Sequence, residues 1–324
     1  MTPAPGLRML RTTTHDGPAI MTLALFRLAL AWTVACSFAS STLATPAVPA
    51  GDPTLLMMPD STNNRIVLFN LADGSVADPD YFALAGGTPV HAMQVGSEIW
   101  VSEQTGDRIS RWSLDGAYLG AIGGVAGGLD NVRGMGFGLD RVLLANFGTE
   151  HGAPGPAIVK ITYDGALDGS ITVGAVSPGP FGLLSIGTGY LVSSSAANDD
   201  IHRFDLQFAP VGTFHNSAQL EFGEQMARMP GDAVLVAGFS SGNLLHLDSS
   251  GGVISSIAAP GARGVAVLGN GNLLWTNSSG AHVFDVATQT STQVYNGGGR
   301  YLDLFMYMDE TIFRNGFDPI VITH

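Results

Sequence analysis

The stretch DRISRWSLDG, Asp107–Gly116, repeats the pattern of NRIVLFNLADG, Asn64–Gly74, after an interval of 43 residues. Four more segments fall into the same frame: AIVKIT from Ala157, DIHRFD from Asp200, NLLHLD from Asn243 and GAHVFD from Gly280. The second position of each copy is Ile66, Ile109, Ile158, Ile201, Leu244 or Ala281, at spacings of 43, 49, 43, 43 and 37 residues. The fifth is Phe69, Trp112, Ile161, Phe204, Leu247 or Phe284. Side chains three apart on a strand point to opposite faces. Each copy is therefore a strand apolar on both faces, sandwiched between neighbours.

Working outward, an apolar strand precedes every copy: LLMM at Leu55, IWVS at Ile99, VLLA at Val142, YLVS at Tyr190, VLVA at Val234 and LLWT at Leu273. Asp73-Gly74, Asp115-Gly116 and Asp164-Gly165 are dipeptides that favour hairpin turns, and a weaker strand follows most copies. Further short strands begin near His91, Arg133, Phe181, Gln225 and Arg263. Four strands per period and six periods predict an all-β chain folded as a six-bladed β-propeller of four-stranded antiparallel blades. The 43 glycines and 13% charged residues suit strands and tight turns, and no segment shows capped helical periodicity.

Blade 1 lacks an innermost strand of its own, because TPAVPAGDP ahead of Leu55 carries three prolines. RYLDLFMYM, residues 300–308, aligns with the other innermost strands and is expected to close the ring, burying Leu302, Leu304, Phe305 and Met306. The resulting domain plan is a signal segment over 1–44, a linker over 45–54, the propeller over 55–308 and a tail over 309–324.

DSTNNRIVLFN and EQTGDRISRWSLDG resemble the NHL repeat, in which an acidic residue and a turn lead to Arg-Ile and then an aromatic followed by Asp or Asn. IWVSEQTGDRISRWSLDG is also similar to a blade of the virginiamycin B lyase type. The resemblance covers residues 55–308, with the full phrase confined to blades 1 and 2, and it implies an exported bacterial propeller.

The N-terminal region is read apart from the fold. From Met21 the chain carries Arg27, an apolar run over Leu28–Phe38, and Thr42 and Ala44 at the minus-three and minus-one positions of a cleavage site. This pattern predicts export to the periplasm or beyond, a mature start at Thr45, and residues 1–20 as a long leading region or an upstream start. The eleven-residue run is short for a membrane span of about twenty. Cys36 sits in this segment behind Thr33, where a lipoprotein acceptor box usually has leucine, so lipid anchoring is not expected. The mature chain then has no thiol. It holds 11 basic and 26 acidic residues, for a net charge of −15, which argues against nucleic-acid partners.

Chemistry-bearing patterns are sparser. GFSSG, Gly238–Gly242, matches an esterase pattern but falls in a hairpin with no following helix, so Ser240 is read as a turn serine. GAIGGVAGG, Gly120–Gly128, lacks the lysine and helix of a phosphate cradle. The shared face of the loops gathers His91, Glu103, Asn131, Asn146, Glu150, His151, His215 and Glu224. Glu103, Asn146, Glu150 and His151 are the candidate ligands for a divalent cation, Ca²⁺, Mg²⁺ or Zn²⁺. Glu103 and Asp60 also occupy the acidic position of the repeat, which favours a turn-stabilising role.

The first residues of the innermost strands, His91, Arg133, Phe181, Gln225, Arg263 and Tyr301, are expected to ring the axial channel. Two readings apply to the arginines. They pair with acids such as Asp130 and Asp303, or they hold a small polar or anionic ligand with help from His91, Gln225 and Tyr301. The functional expectation is a monomeric binding or interaction module for such a ligand or for another protein. The alternative on the same fold is a metal-assisted lyase or lactone hydrolase.

Overall fold

The computed structural model describes residues 54–195 and 200–306. The segment expected to be a signal over 1–44, Cys36 within it, and the expected tail over 309–324 lie outside the described residues. The described chain forms six four-stranded antiparallel sheets in a β-propeller. Five blades use consecutive strands; blade 1 joins Thr54–Asp60, Arg65–Asn70 and Val76–Ala83 to the last strand, Asp303–Met306. Helix is limited to three single 3₁₀ turns among the described residues. No helix there is long and apolar enough to cross a membrane.

The repeat copies are the third strands, and their two apolar faces are used as the pattern requires. Ile66, Ile109, Ile158, Ile201, Leu244 and Ala281 are fully buried, as are Phe69, Ile161 and Leu247. Gly74, Gly116 and Gly165 adopt φ of 77, 83 and 96°, the left-handed region that only glycine enters without cost. Between adjacent blades lie six apolar clusters, one per interface. Trp100 and Ile109 of blade 2 pack on Val142 and Leu144 of blade 3. The cluster joining Leu268 and Leu274 of blade 6 to Leu56 and Phe69 of blade 1 closes the circle.

Ring closure follows the predicted pairing, with Leu55 opposite Phe305 and Met57 opposite Asp303. Burial differs from the expectation. Leu302 and Phe305 are buried, but Leu304 and Met306 are 46% and 41% exposed. Strand alternation separates Phe305, in the cluster between blades 1 and 2, from Leu304 and Met306 on the other face; Leu302, ahead of the paired strand, is covered by the cluster between blades 6 and 1, which does not reach Leu304 and Met306. The described strand ends at Met306, so Tyr307 and Met308 lie outside the described residues.

Asp60 is a second closure device. Its carboxylate accepts from Thr62 N, Asn63 N and Nδ2, Tyr295 Oη and Gly298 N, tying the first turn to the end of blade 6. Glu103, at the same position in blade 2, is fully buried and accepts from Arg108 Nε at 2.6 Å. The acidic position of the repeat thus serves turns, as its spacing suggested.

Candidate functional site: an arginine mouth on the propeller axis

The loops leading into the innermost strands and the loops joining second to third strands share one end of the molecule. Hydrogen bonds from Ser61 to Gly298, Gln104 to Thr88 and Phe239 to Phe222 stitch them together. The expected single ring of six residues does not form there. In blades 2 to 5 the innermost strand holds one more residue than its partner: Pro89 faces Glu103 and His91 faces Ser102, while Val132 faces Asn146 and Met135 faces Leu144. Blades 4 and 5 repeat the bulge, with Pro180 and Leu183 facing Ser194 and Val192, and Gly223 and Met226 facing Gly238 and Val236. Asp60 opposite Gly299 and Met57 opposite Asp303 show the same extra residue in blade 1.

The bulge divides the axis into two tiers. The outer tier, read by register around the ring, is Arg300, Val90, Arg133, Phe181, Glu224 and Arg263. The inner tier is Tyr301, His91, Gly134, Gly182, Gln225 and Gly264. Bulges re-aim side chains in this way. Arg133, Phe181 and Arg263 therefore belong to a different tier from His91, Gln225 and Tyr301, with Arg300 and Glu224 as their neighbours, although the Phe181 ring packs down onto Tyr301.

The inner tier is a plug. Tyr301 is 1% exposed and its ring meets His91 at 5.4 Å and Phe181 at 6.3 Å between centroids. A Cβ at Gly134 would lie 2.7 Å from Phe181 O and 3.1 Å from Tyr301 Cε2, so glycine is needed for the strands to converge on that ring. His91 has both nitrogens engaged: Nε2 lies 3.0 Å from Asp303 Oδ2, and Nδ1 accepts from Met135 N. Gln225 bridges blades, its Oε1 accepting from Val265 N and Leu302 N while Nε2 donates to Leu302 O. These two side chains fasten the ring across the axis.

The outer tier is electrostatically unusual. Arg133 is buried; its Nη1 donates to Pro180 O at 3.1 Å and Ser195 Oγ at 2.8 Å, and its Nε to Asn131 Oδ1 at 3.3 Å. It is sandwiched by Phe147 at 4.3 Å and Phe181 at 4.6 Å. Half-buried Arg263 lies over Phe239 at 5.2 Å and makes no side-chain hydrogen bond to a described residue; its Nε is buried. Arg300, also half-buried, spends only Nε, on Ser61 Oγ. The expected acidic partners are elsewhere: Asp303 is on His91, and Asp130 accepts from Glu150 N.

Glu224 is the one carboxylate of the tier, 2% exposed, with Oε2 unpaired. Burial pushes its pKa up to about 7 although Arg263, Arg300 and Arg133 all pull it down. Burial likewise lowers Arg133 to about 10, and burial with repulsion from Arg263 lowers Arg300 to about 10. Burial raises the Tyr301 hydroxyl well above its ordinary value, and Tyr301 Oη has no partner. Three guanidinium groups thus face one reluctant carboxylate. Such an arrangement favours an added negative charge.

The cation candidates do not converge. Asn146 is buried and donates Nδ2 to Gly148 O and Gly155 O, while Glu150 and His151 are exposed on their own loop. Among the described residues no three His, Cys, Asp or Glu side chains gather in a metal-binding group. Ser240 is exposed in the hairpin between Val234–Gly238 and Asn243–Leu247, as expected of a turn serine.

No protein-family profile and no curated protein sequence matches the chain. Solved structures do. A chain of a nidogen/laminin complex superposes with a TM-score of 0.62 at 10% identity, over 78% of this chain and 98% of that one. A protein of unknown function from Bacteroides caccae gives 0.57 at 15% identity, over 77% and 98%. Virginiamycin B lyase from Staphylococcus aureus gives 0.51 at 14%, over 71% and 76%. The shared feature is the propeller fold. At these identities the likeness extends to architecture and leaves function to the site.

Proposed function

We propose that this chain is an exported binding module whose outer tier holds a small anion between Arg263 and Arg300. The observation carrying the reading is the free donor set of those adjacent arginines in a tier with a single carboxylate. Arg133, buried and stacked, contributes positive potential behind them. The mature charge of −15 gives the rest of the surface the opposite sign, so a local pair with little competing solvent is what such a ligand requires. Export rests on the apolar run and small residues of Leu28–Ala44 and is checked by sequencing the N-terminus of material recovered outside the cytoplasm; Thr45 at the start is the expected result.

Binding is tested by thermal melts of the full chain with acetate, benzoate, 3-phenylpropionate and inorganic phosphate. A ligand at about 100 times its Kd adds about 2.7 kcal/mol, a shift of several degrees in a domain of this size. The double variant Arg263→Ala/Arg300→Ala should lose that shift while keeping its own melt within a few degrees of the parent. No shift from any of the four anions in the parent protein would end the reading.

A further inference from the structure

The arginines of the mouth do not stand alone. Phe147, Arg133, Phe181, Phe222, Phe239 and Arg263 form a continuous stack of rings and guanidinium groups running from blade 3 to blade 6. Phe222 meets Phe181 at 5.0 Å and Phe239 at 5.3 Å, both edge to face, and the cation–ring contacts complete the series. Phe147, Phe222 and Phe239 are half-buried, so the stack keeps apolar surface at the rim instead of hiding it all in the core.

One member is held there at a cost. Phe222 has φ of 51°, a left-handed conformation that bulky side chains rarely adopt. The turn itself belongs to the fold: Thr88 and Asn131, which also directly precede bulged innermost strands, have φ of 56 and 52°. Asparagine suits this conformation; phenylalanine does not. Backbone strain at a site mouth points to a task for the strained side chain.

We infer that the ligand of this mouth is an aromatic carboxylate, its charge on Arg263 and Arg300 and its flat ring on the rim formed by Phe222 and Phe239. The inference rests on the anion-binding reading above and adds the body to the charge. A singly charged head fits better than a phosphate dianion. The aromatic wall strips water from the ligand, a cost that rises with ligand charge, and the protein's negative field opposes a second charge more strongly. An aromatic ring regains that cost through apolar burial and edge-to-face contacts with the rim.

The test is titration calorimetry of the full chain with 3-phenylpropionate, cyclohexanecarboxylate, acetate and inorganic phosphate. The expected order places 3-phenylpropionate at least tenfold tighter than acetate, with phosphate no better than acetate. Phe222→Asn places at this turn the residue type that blade 3 uses, so the backbone is retained. It should weaken 3-phenylpropionate severalfold and leave acetate unchanged. Equal affinities for acetate and 3-phenylpropionate, or a Phe222→Asn variant with the parent's preference, would overturn the ligand class while leaving the anion site standing. Binding of none of the four would overturn both.

Discussion

Phe305→Ala should destabilise the propeller by about 3–5 kcal/mol, the cost of truncating a fully buried phenylalanine. Phe305 is 0% exposed, lies opposite Leu55, packs with Met57, Ile66, Phe82 and Trp112, and sits 5.6 Å from Tyr81. Leu302→Ala, at 3% exposure in the cluster joining blades 6 and 1, should cost about 2–5 kcal/mol. Leu304→Ala and Met306→Ala, both partly exposed on the same strand, should each stay near 0.5 kcal/mol. Urea unfolding followed by intrinsic fluorescence reads all four, with an unchanged m-value securing the comparison.

Whole domains hold only about 5–15 kcal/mol. The two buried side chains alone therefore account for much of the total, and a chain ending at Gly299 should not fold to a soluble, cooperative unit. Ending the chain at Glu310 should preserve folding. If Leu304→Ala costs as much as Phe305→Ala, the strand faces are misassigned. If the chain ending at Gly299 melts cooperatively at the parent temperature, closure by this strand is refuted.

Other outcomes follow from the charged groups. Glu224 has a folded pKa of about 7, above its ordinary 4.5, so the folded state binds the extra proton between those values and stability falls as pH rises from 4.5 to 7, by roughly 3 kcal/mol in all. Glu224→Gln should flatten that slope in urea titrations at pH 5 and 8, and an unchanged slope would show that Glu224 is not its source. Because the protonated carboxyl no longer opposes an anion, affinity for 3-phenylpropionate should rise severalfold from pH 8 to 5.5, where the ligand stays ionised; calorimetry at both values reads this. Burial raises the Asp60 carboxyl, but bonds from Tyr295, Asn63 and Gly298 outweigh it and hold its pKa below 3.8. Its contribution is thus complete above 3.8 and lost as pH falls through the lower folded value. Asp60→Ala should cost about 2–4 kcal/mol at pH 7, since it leaves buried donors unpaired.

The ring was legible because its signal repeats. Two apolar positions per copy, read six times, specify strands buried on both faces, and the prolines before Leu55 expose the missing strand that Asp303–Met306 supplies. The acidic turn position was legible for the same reason. Burial within Asp303–Met306 was not, because an apolar run without alternation does not reveal which face meets the core. Leu304 and Met306 are about as hydrophobic as Leu302, yet they are left partly exposed while Leu302 is buried.

The mouth was half legible, and the reason is the bulge. An alignment by hydrophobic strand sets VHAMQV, VRGMGF and ARGVAV side by side and matches His91 with Arg133 and Arg263. Pairing with the second strand instead matches His91 with Gly134 and Gly264, because Val90 and Arg133 occupy the extra residue of their bulges and Arg263 lies ahead of the paired strand Gly264–Val267. A one-residue insertion leaves the apolar pattern of the strand core untouched, so nothing in periodicity records it. The trace it does leave is glycine. Gly134, Gly182 and Gly264 follow Arg133, Phe181 and Arg263 where a Cβ would strike Phe181 O at 2.7 Å, Glu224 O at 2.2 Å and Arg300 O at 2.3 Å. Residue-then-glycine at the head of an innermost strand thus marks three of the six outer-tier positions; Val90 and Glu224 are followed by His91 and Gln225 and carry no such mark. Applied to RYLDLF, which has no such glycine, it still leaves Arg300 concealed. There the tyrosine itself fills the axis that the three glycines vacate, and only the placement of Tyr301 in the plug shows that Arg300 stands above it, beside Arg263.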